Sequence, residues 1–274
     1  MWFLHCIFKW ILQAWFIIFD RFILYRIMRQ LSPTYGIHFM NLGYWPTRSS
    51  LKNDVKMKNL IEEYSMEQDM DRPHYYLYER ALLFLDGYPN LEEMEILEVG
   101  CGQGYGLKWI ERAHPLIKSI QGVDRCALPG THVISGDAHH LPFEDNRFDL
   151  VLNVESSHLY ADCEQFFREC SRVLREGGYL CWIDLRYEVE VVETRRQACR
   201  AGLVEQRWDD VTDNVLQGIH RTSARYDQIL RKTPWFIRLF STSLRATYCA
   251  PGTYTYARIA SREKGYYAAI WKNQ

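Results

Sequence analysis

A chain of 274 residues, 47% of them hydrophobic, is long enough for one large α/β core and too apolar for wholesale disorder. Its net charge of −1 lacks the clustered basic excess of a nucleic-acid footprint, so no nucleic-acid partner is expected. The eight cysteines (Cys6, Cys101, Cys126, Cys163, Cys170, Cys181, Cys199 and Cys249) include no C-x-x-C pair and no histidine at zinc spacing, which reads as free thiols in a reducing compartment and no metal site.

Residues 1–31 are crowded with Trp2, Phe3, Trp10, Trp15, Phe16, Phe19 and aliphatic neighbours. The longest uncharged run, residues 10–19, is short of the roughly 20 apolar residues that span a bilayer. No basic n-region or small-residue cleavage site marks a signal peptide. Two membrane readings stay open: a one-pass anchor with Lys9 snorkelling, or a helix lying in the interface with Arg21, Arg26 and Arg29 at headgroup level. Both place the chain at a membrane, the endoplasmic reticulum among them, with the remainder in the cytosol. A long helix packed on the protein's own sheet is the alternative. Residues 32–46, punctuated by Pro33, Gly36, Gly43 and Pro46, suit neither a long helix nor an inner strand. A helix from Arg72 to about Leu85, carrying Tyr75, Tyr76 and Tyr78, is expected before the first strand.

The stretch from Ile96 to Gly106 is an apolar strand containing Glu98 that runs into a loop with glycine at Gly100, Gly102, Gly104 and Gly106. Glycine permits positive φ and close approach of backbone N–H groups to a ligand at the positive end of the following helix. The dinucleotide spacing G-x-G-x-x-G fails because Tyr105 stands three residues after Gly102, and no Lys-Ser/Thr pair completes a P-loop. What remains is E-x-G-x-G-x-G, whose carboxylate suits a cationic ligand better than a pyrophosphate. A second strand, Ile120 to Asp124, ends in an acid placed to bridge a ribose diol. Gly136-Asp137-Ala138 gives a third strand end with a carboxylate able to accept from an exocyclic amine, and Phe148 to Asn153 a fourth, buried strand.

These blocks resemble motif I, the acidic loop, and the G-D-A-x-x-L-P-F and F-D-x-V blocks of the class I S-adenosylmethionine-dependent methyltransferases. The resemblance continues through Phe166 to Leu180 as a helix, a Gly-Gly turn and a fifth strand. Val151 to His158 and Asp184-Leu185-Arg186 look most like the phthiotriol and phenolphthiotriol dimycocerosate branch, which O-methylates long-chain lipids. The resemblance implies an α/β, Rossmann-like sheet of seven mostly parallel strands over residues 32–274, with S-adenosyl-L-methionine as cofactor. The cofactor set it implies is Glu98, Gly100, Gly102, Gly104, Asp124, Asp137, Ala138 and Asn153, with Tyr44 and Trp45 on a lid.

Methyl transfer to an alcohol requires the hydroxyl to lose a proton, and histidine, with an ordinary pKa of about 6.5, is the natural base. His158, after the fourth strand, is assigned that role and Asp184, ending the fifth, orients it. The alternative is that His158 only caps a helix or lines the pocket. Expected partners are a lipid or other apolar small molecule and, through residues 1–31, a membrane surface; the oligomeric state stays open. Carbon methylation of a sterol- or quinone-like acceptor, and a non-catalytic membrane-bound relative, are the competing functions.

Residues 187–247 read as a helical cap, and Thr253 to Ile259 with Gly265 to Trp271 as a closing antiparallel pair. Only the eight residues Arg125 to His132 join the second and third strands, where a parallel crossover normally needs a dozen or more. A helix missing there would leave the adenine side of the site less covered.

Overall fold

The central strand, β1 (Glu95–Val99), has Ile96, Leu97 and Val99 fully buried, as expected of a strand covered by helices on both faces. The computed structural model describes residues 36–47, 54–125, 127 and 133–274. Helices α1 (Val55–Tyr64) and α2 (Arg72–Leu82) precede β1, and α3 (Tyr105–Ala113) follows it. Then come β2 (Ser119–Asp124), β3 (Val133–Ser135), β4 (Phe148–Val154), α4 (Cys163–Val173) and β5 (Leu174–Tyr187). The chain continues through α5 (Val191–Arg200), β6 (Leu203–Asp210), α6 (Thr212–Lys232), α7 (Trp235–Arg238), α8 (Ser241–Thr247), α9 (Tyr254–Ala260) and β7 (Lys264–Asn273).

The seven strands form one sheet in the order β3-β2-β1-β4-β5-β7-β6, parallel through β5, with β7 antiparallel to both neighbours. The chain runs outward from β1 to β3 and returns to β4. The carboxyl ends of β1 and β4 therefore flank the switch point, where open α/β sheets bind ligands. Alternation along the strands splits the core. Ile96, Leu150, Leu152 and Ile183 pack under α2 and α6, while Leu97, Val99, Val151 and Trp182 pack with Phe166 and Phe167 of α4.

The expected helix, Gly-Gly turn and fifth strand occur as α4 and β5. A register shift opposite Phe148 and Leu150 accommodates the turn, with Gly177 at φ +79°. The closing pair differs from expectation. Alternating Tyr and Thr at 254–256 imitates a strand, but the Thr253 side chain accepts the Tyr256 N–H as an N-cap, and α9 is a helix. The true partner of β7 on its outer side is β6, inside the segment read as wholly helical. A bulge between Glu205 and Arg207 breaks the period-two pattern there, which hides the strand from a reading by alternation.

Strands β2 and β3 pair in parallel through Gly122 and Val133. Apart from Arg125 and Ala127, their connection lies outside the described residues, as does the expected helix over residues 1–31. Among the described residues, no helix is long and apolar enough to cross a membrane.

Candidate active site

Gly100, Gly102 and Gly104 all adopt positive φ, at +76°, +58° and +76°. Gly100 is also constrained sterically, because a Cβ there would meet Ser156 Oγ at 2.3 Å and Tyr160 Oη at 2.7 Å. The loop is tied to its neighbours on both sides. Gly102 N–H donates to Asp124 Oδ2 (2.9 Å), and Asn153 Nδ2 donates to the Val99 carbonyl (2.8 Å).

Glu98 is fully buried, and its Oε1 accepts the Tyr78 hydroxyl of α2 at 2.6 Å. Burial pushes the Glu98 carboxyl up to about 7, with the negative charge of Asp124 adding and the Tyr78 hydrogen bond opposing. Its Oε2 is buried and accepts no hydrogen bond among the described residues, and Asn153 Oδ1 is in the same position. Orphaned buried acceptors of this kind are costly, and beside a glycine-rich loop they suit a ligand carrying N–H donors.

Asp137 accepts from His139 N–H (3.0 Å) and His139 Nδ1 (2.6 Å) through one oxygen and pairs with Arg125 (3.0 Å) through the other. The His139 backbone bond leads the set that holds its carboxyl below the usual range. Ala138 packs, partly buried, against the core cluster that holds Leu97, Val99 and Leu141.

His158 sits in a short 3-10 turn, Ser157–Leu159, directly after β4. Its Nδ1 lies 2.7 Å from Asp184 Oδ1, and its backbone N–H donates to Asp184 Oδ2 at 2.9 Å. Ser157 Oγ (2.6 Å), the Leu185 N–H (2.8 Å) and Arg186 (3.2 Å) complete the surroundings of the same carboxylate. Burial would raise the Asp184 carboxyl, but the charges of His158 and Arg186 and these hydrogen bonds outweigh it and hold the group well below the ordinary range. Asp184 is therefore an anion, which fixes the proton on His158 Nδ1 and leaves Nε2 as the acceptor. With its side chain 25% exposed, His158 is the one member of this network that reaches solvent.

Comparison with known proteins agrees with this geometry. Residues 97–182 match the family model described as a methyltransferase domain. The chain is 33% identical over 227 residues to the phthiotriol/phenolphthiotriol dimycocerosates methyltransferase of Mycobacterium leprae, covering 78% of either protein. The chain belongs to the S-adenosylmethionine-dependent methyltransferases. It is also 29% identical to the fatty-acid O-methyltransferase of Mycolicibacterium smegmatis, over 79% of this chain and 78% of that one. An O-methyltransferase of a Brevibacillus brevis polyketide multienzyme, solved with S-adenosyl-L-homocysteine, shares the fold at 14% identity, with TM-score 0.56 over 86% of this chain and 84% of that one.

In this methyltransferase the orphaned Oε2 of Glu98 and the left-handed glycine loop fit S-adenosylmethionine, whose amino acid end is an ammonium donor. Asp124, Glu98, Asn153 and Asp184 stand at the carboxyl ends of β2, β1, β4 and β5, adjacent in that order. Tyr44 and Trp45 point elsewhere. The Tyr44 hydroxyl donates to Asp54 (3.0 Å) beside a polar cavity with Arg80 and Asn214, while Trp45 packs on Tyr76 and under Arg221. Of the segment 36–47, expected as a lid, the residues that reach the loop are His38, stacked on Tyr105 of α3 at 4.6 Å, and Phe39, against Tyr78 and Tyr105.

Sequence reading missed Glu155. Held at φ +48°, it accepts through Oε2 from the Leu42 N–H of the lid (2.7 Å) and from the Tyr266 hydroxyl of β7 (2.5 Å). Only the left-handed backbone of a non-glycine residue hints at a special role, and that signal is absent from sequence. Burial pushes the Glu155 carboxyl up to about 8. A carboxyl bound more tightly to its proton in the folded state stabilises the protein at low pH. That contribution is lost as pH rises from the ordinary value of about 4.3 through 8. The melting temperature of the cofactor-free enzyme should therefore fall between pH 5 and 9. Glu155→Gln, which keeps the carbonyl acceptor, should flatten much of that fall. An unchanged slope would show that Glu155 is not the titrating group.

Proposed function

We propose that this methyltransferase moves the methyl group of S-adenosylmethionine to a hydroxyl of a lipid or other apolar alcohol. The observation that carries the reading is His158, which follows β4 with its Nδ1 held 2.7 Å from a buried anionic Asp184 and its side chain 25% exposed, so that Nε2 is left as the acceptor. Names of relatives add support, since one acts on phthiotriol lipids and another on fatty acids by O-methylation.

Bound S-adenosylmethionine supplies an electrophilic methyl group on a positive sulfur. The protein's task is then alignment and exclusion of water. Gly100, Gly102 and Gly104, whose N–H groups are tied to Val123, Asp124 and Cys101, supply a left-handed loop without side chains that lets the ligand approach the backbone closely, while Glu98 would receive the ammonium, Asp124 the ribose hydroxyls, and Asp137, Ala138 and Asn153 would line the same pocket. With S-adenosylmethionine bound, His158 Nε2 would take the hydroxyl proton as the acceptor oxygen bonds to the methyl carbon that the sulfur releases. Asp184 stabilises the resulting imidazolium. The segment 36–47, tied to α6 by Thr222 Oγ1 donating to the Leu42 carbonyl, would act as the lid over the cleft, and Val215 and Ile219 of α6 share its core cluster with Phe39 and Leu42.

Residues 1–31 hold the enzyme at a membrane with its domain in the cytosol, where an apolar acceptor is concentrated. Titration of the enzyme with S-adenosylmethionine in a calorimeter, followed by turnover on a long-chain alcohol, tests the reading. Binding with a methyl ether as product is expected. Binding with label recovered only on carbon, from a sterol- or quinone-like acceptor, would replace it.

A further inference from the structure

The tip of the cap is apolar and basic at once. Trp235 (68% exposed), Leu239 (71%) and Phe240 (45%) stand in water within six residues of one another, around the short helix α7. A contiguous exposed cluster of this kind marks an interaction surface rather than ordinary scatter. Its charge is one-sided. From Gln228 to Arg262 there is no Asp or Glu, and Arg231, Lys232, Arg238, Arg245, Arg258 and Arg262 give six positive charges in a chain whose net charge is −1. Arg245, Arg258 and Arg262 pair with Asp227, Glu263 and Asp210 or Asp213. Arg231, Lys232 and Arg238 are exposed and form no ion pair among the described residues.

We propose that this tip docks on the surface of an anionic lipid bilayer, with Trp235, Leu239 and Phe240 entering the headgroup region and Arg231, Lys232 and Arg238 meeting lipid phosphates. Exposed Trp and Phe with a cationic rim are the chemistry of an interfacial anchor. A second observation gives the direction. Arg225 Nη2 of α6 donates to the Gly36 carbonyl at 2.6 Å, so the first described residue of the segment 36–47 is held beside the carboxyl-terminal half of α6. Arg231 and Lys232 lie about 10 Å further along that helix. The tip and the start of the described segment 36–47 thus lie toward the same end of α6, and that segment would face the membrane. The purpose rests on the reading of an apolar acceptor; the docking itself is separately measurable.

The full chain is mixed with phosphatidylcholine vesicles, with or without phosphatidylglycerol, and followed by sedimentation and hydrogen exchange. Exchange over residues 233–243 should slow on the anionic vesicles. The triple variant Arg231→Gln, Lys232→Gln, Arg238→Gln should lose roughly a hundredfold of the affinity gained from anionic lipid. Sedimentation with unchanged exchange over 233–243, a triple variant that keeps the gain, or no sedimentation would each overturn the proposal. Methylation of a short, soluble alcohol without vesicles reads the acceptor chemistry independently, and its failure would count against the proposed function alone.

Discussion

Replacing His158 by Ala or Gln should lower kcat on a hydroxyl acceptor by about 10²- to 10⁴-fold, the range that a positioned general base contributes. The affinity for S-adenosylmethionine should stay within about twofold, because His158 belongs to the acceptor side of the cleft in this reading. The fold should tolerate the change. His158 is partly exposed, and Asp184 keeps Ser157, the two backbone N–H groups and Arg186 after the imidazole is gone. Asp184 itself is a poorer probe. It is fully buried against Arg186, also buried, and removing one partner of such a pair costs on the order of 3–5 kcal/mol by leaving the other charge uncompensated. A loss of activity in Asp184→Asn would therefore mix catalysis with stability. Single-turnover rates with the His158 variants avoid that ambiguity, and turnover equal to the parent enzyme would remove the base assignment.

The parts of this site that were legible in the sequence are those whose signal is local. The glycines at 100, 102 and 104 declare a loop because only a missing side chain suits three positive φ values in five residues. The acids Glu98 and Asp124 are fixed by their place at the ends of apolar strands. The pairing of His158 with Asp184 follows once β4 and β5 are adjacent, a matter of sheet order that the family resemblance supplied. Contacts made across long sequence separation were not legible. Tyr78 meets Glu98 because α2 lies over β1, and Glu155 meets Leu42 and Tyr266 because the lid and β7 converge on the end of β4. His74 is a further case. Fully buried, it is driven to about 3 by desolvation and so stays neutral, with Nδ1 donating to Asn41 of the lid and Nε2 accepting from Tyr226 of α6. The family resemblance and their aromatic type make Tyr44 and Trp45 candidate cofactor walls. Direction, which type does not encode, turns the Tyr44 hydroxyl to Asp54 and Trp45 to Tyr76.

Glu98→Gln should weaken S-adenosylmethionine binding by about ten- to a hundredfold, since a hydrogen bond to a charged group is worth about 1.5–3 kcal/mol and the neutral amide loses that assistance. The substitution is close to isosteric, and the amide oxygen still accepts from Tyr78, so the effect isolates the charge. Its pH dependence is the sharper test. Below about 7 the buried carboxyl is protonated in the cofactor-free enzyme and cannot neutralise an ammonium, so affinity should rise as pH approaches 7. An α-amino group loses its own proton near 7.7–8.0, so affinity should fall again above that range. The parent enzyme is expected to show a narrow optimum between those limits, while Glu98→Gln should lose the low-pH limb and keep the high-pH one. Stability without cofactor runs the other way. Because the folded state holds the proton more tightly than the unfolded chain, Glu98 contributes most below about 4.3, and about 3 kcal/mol of that is withdrawn as pH rises to 7. The cofactor-free melting temperature should thus drop over the same interval in which the stabilisation conferred by S-adenosylmethionine grows. Opposed slopes in the parent enzyme, both reduced in the Gln variant, would tie the two behaviours to one carboxyl. A variant that retained either slope in full would assign that behaviour to another group.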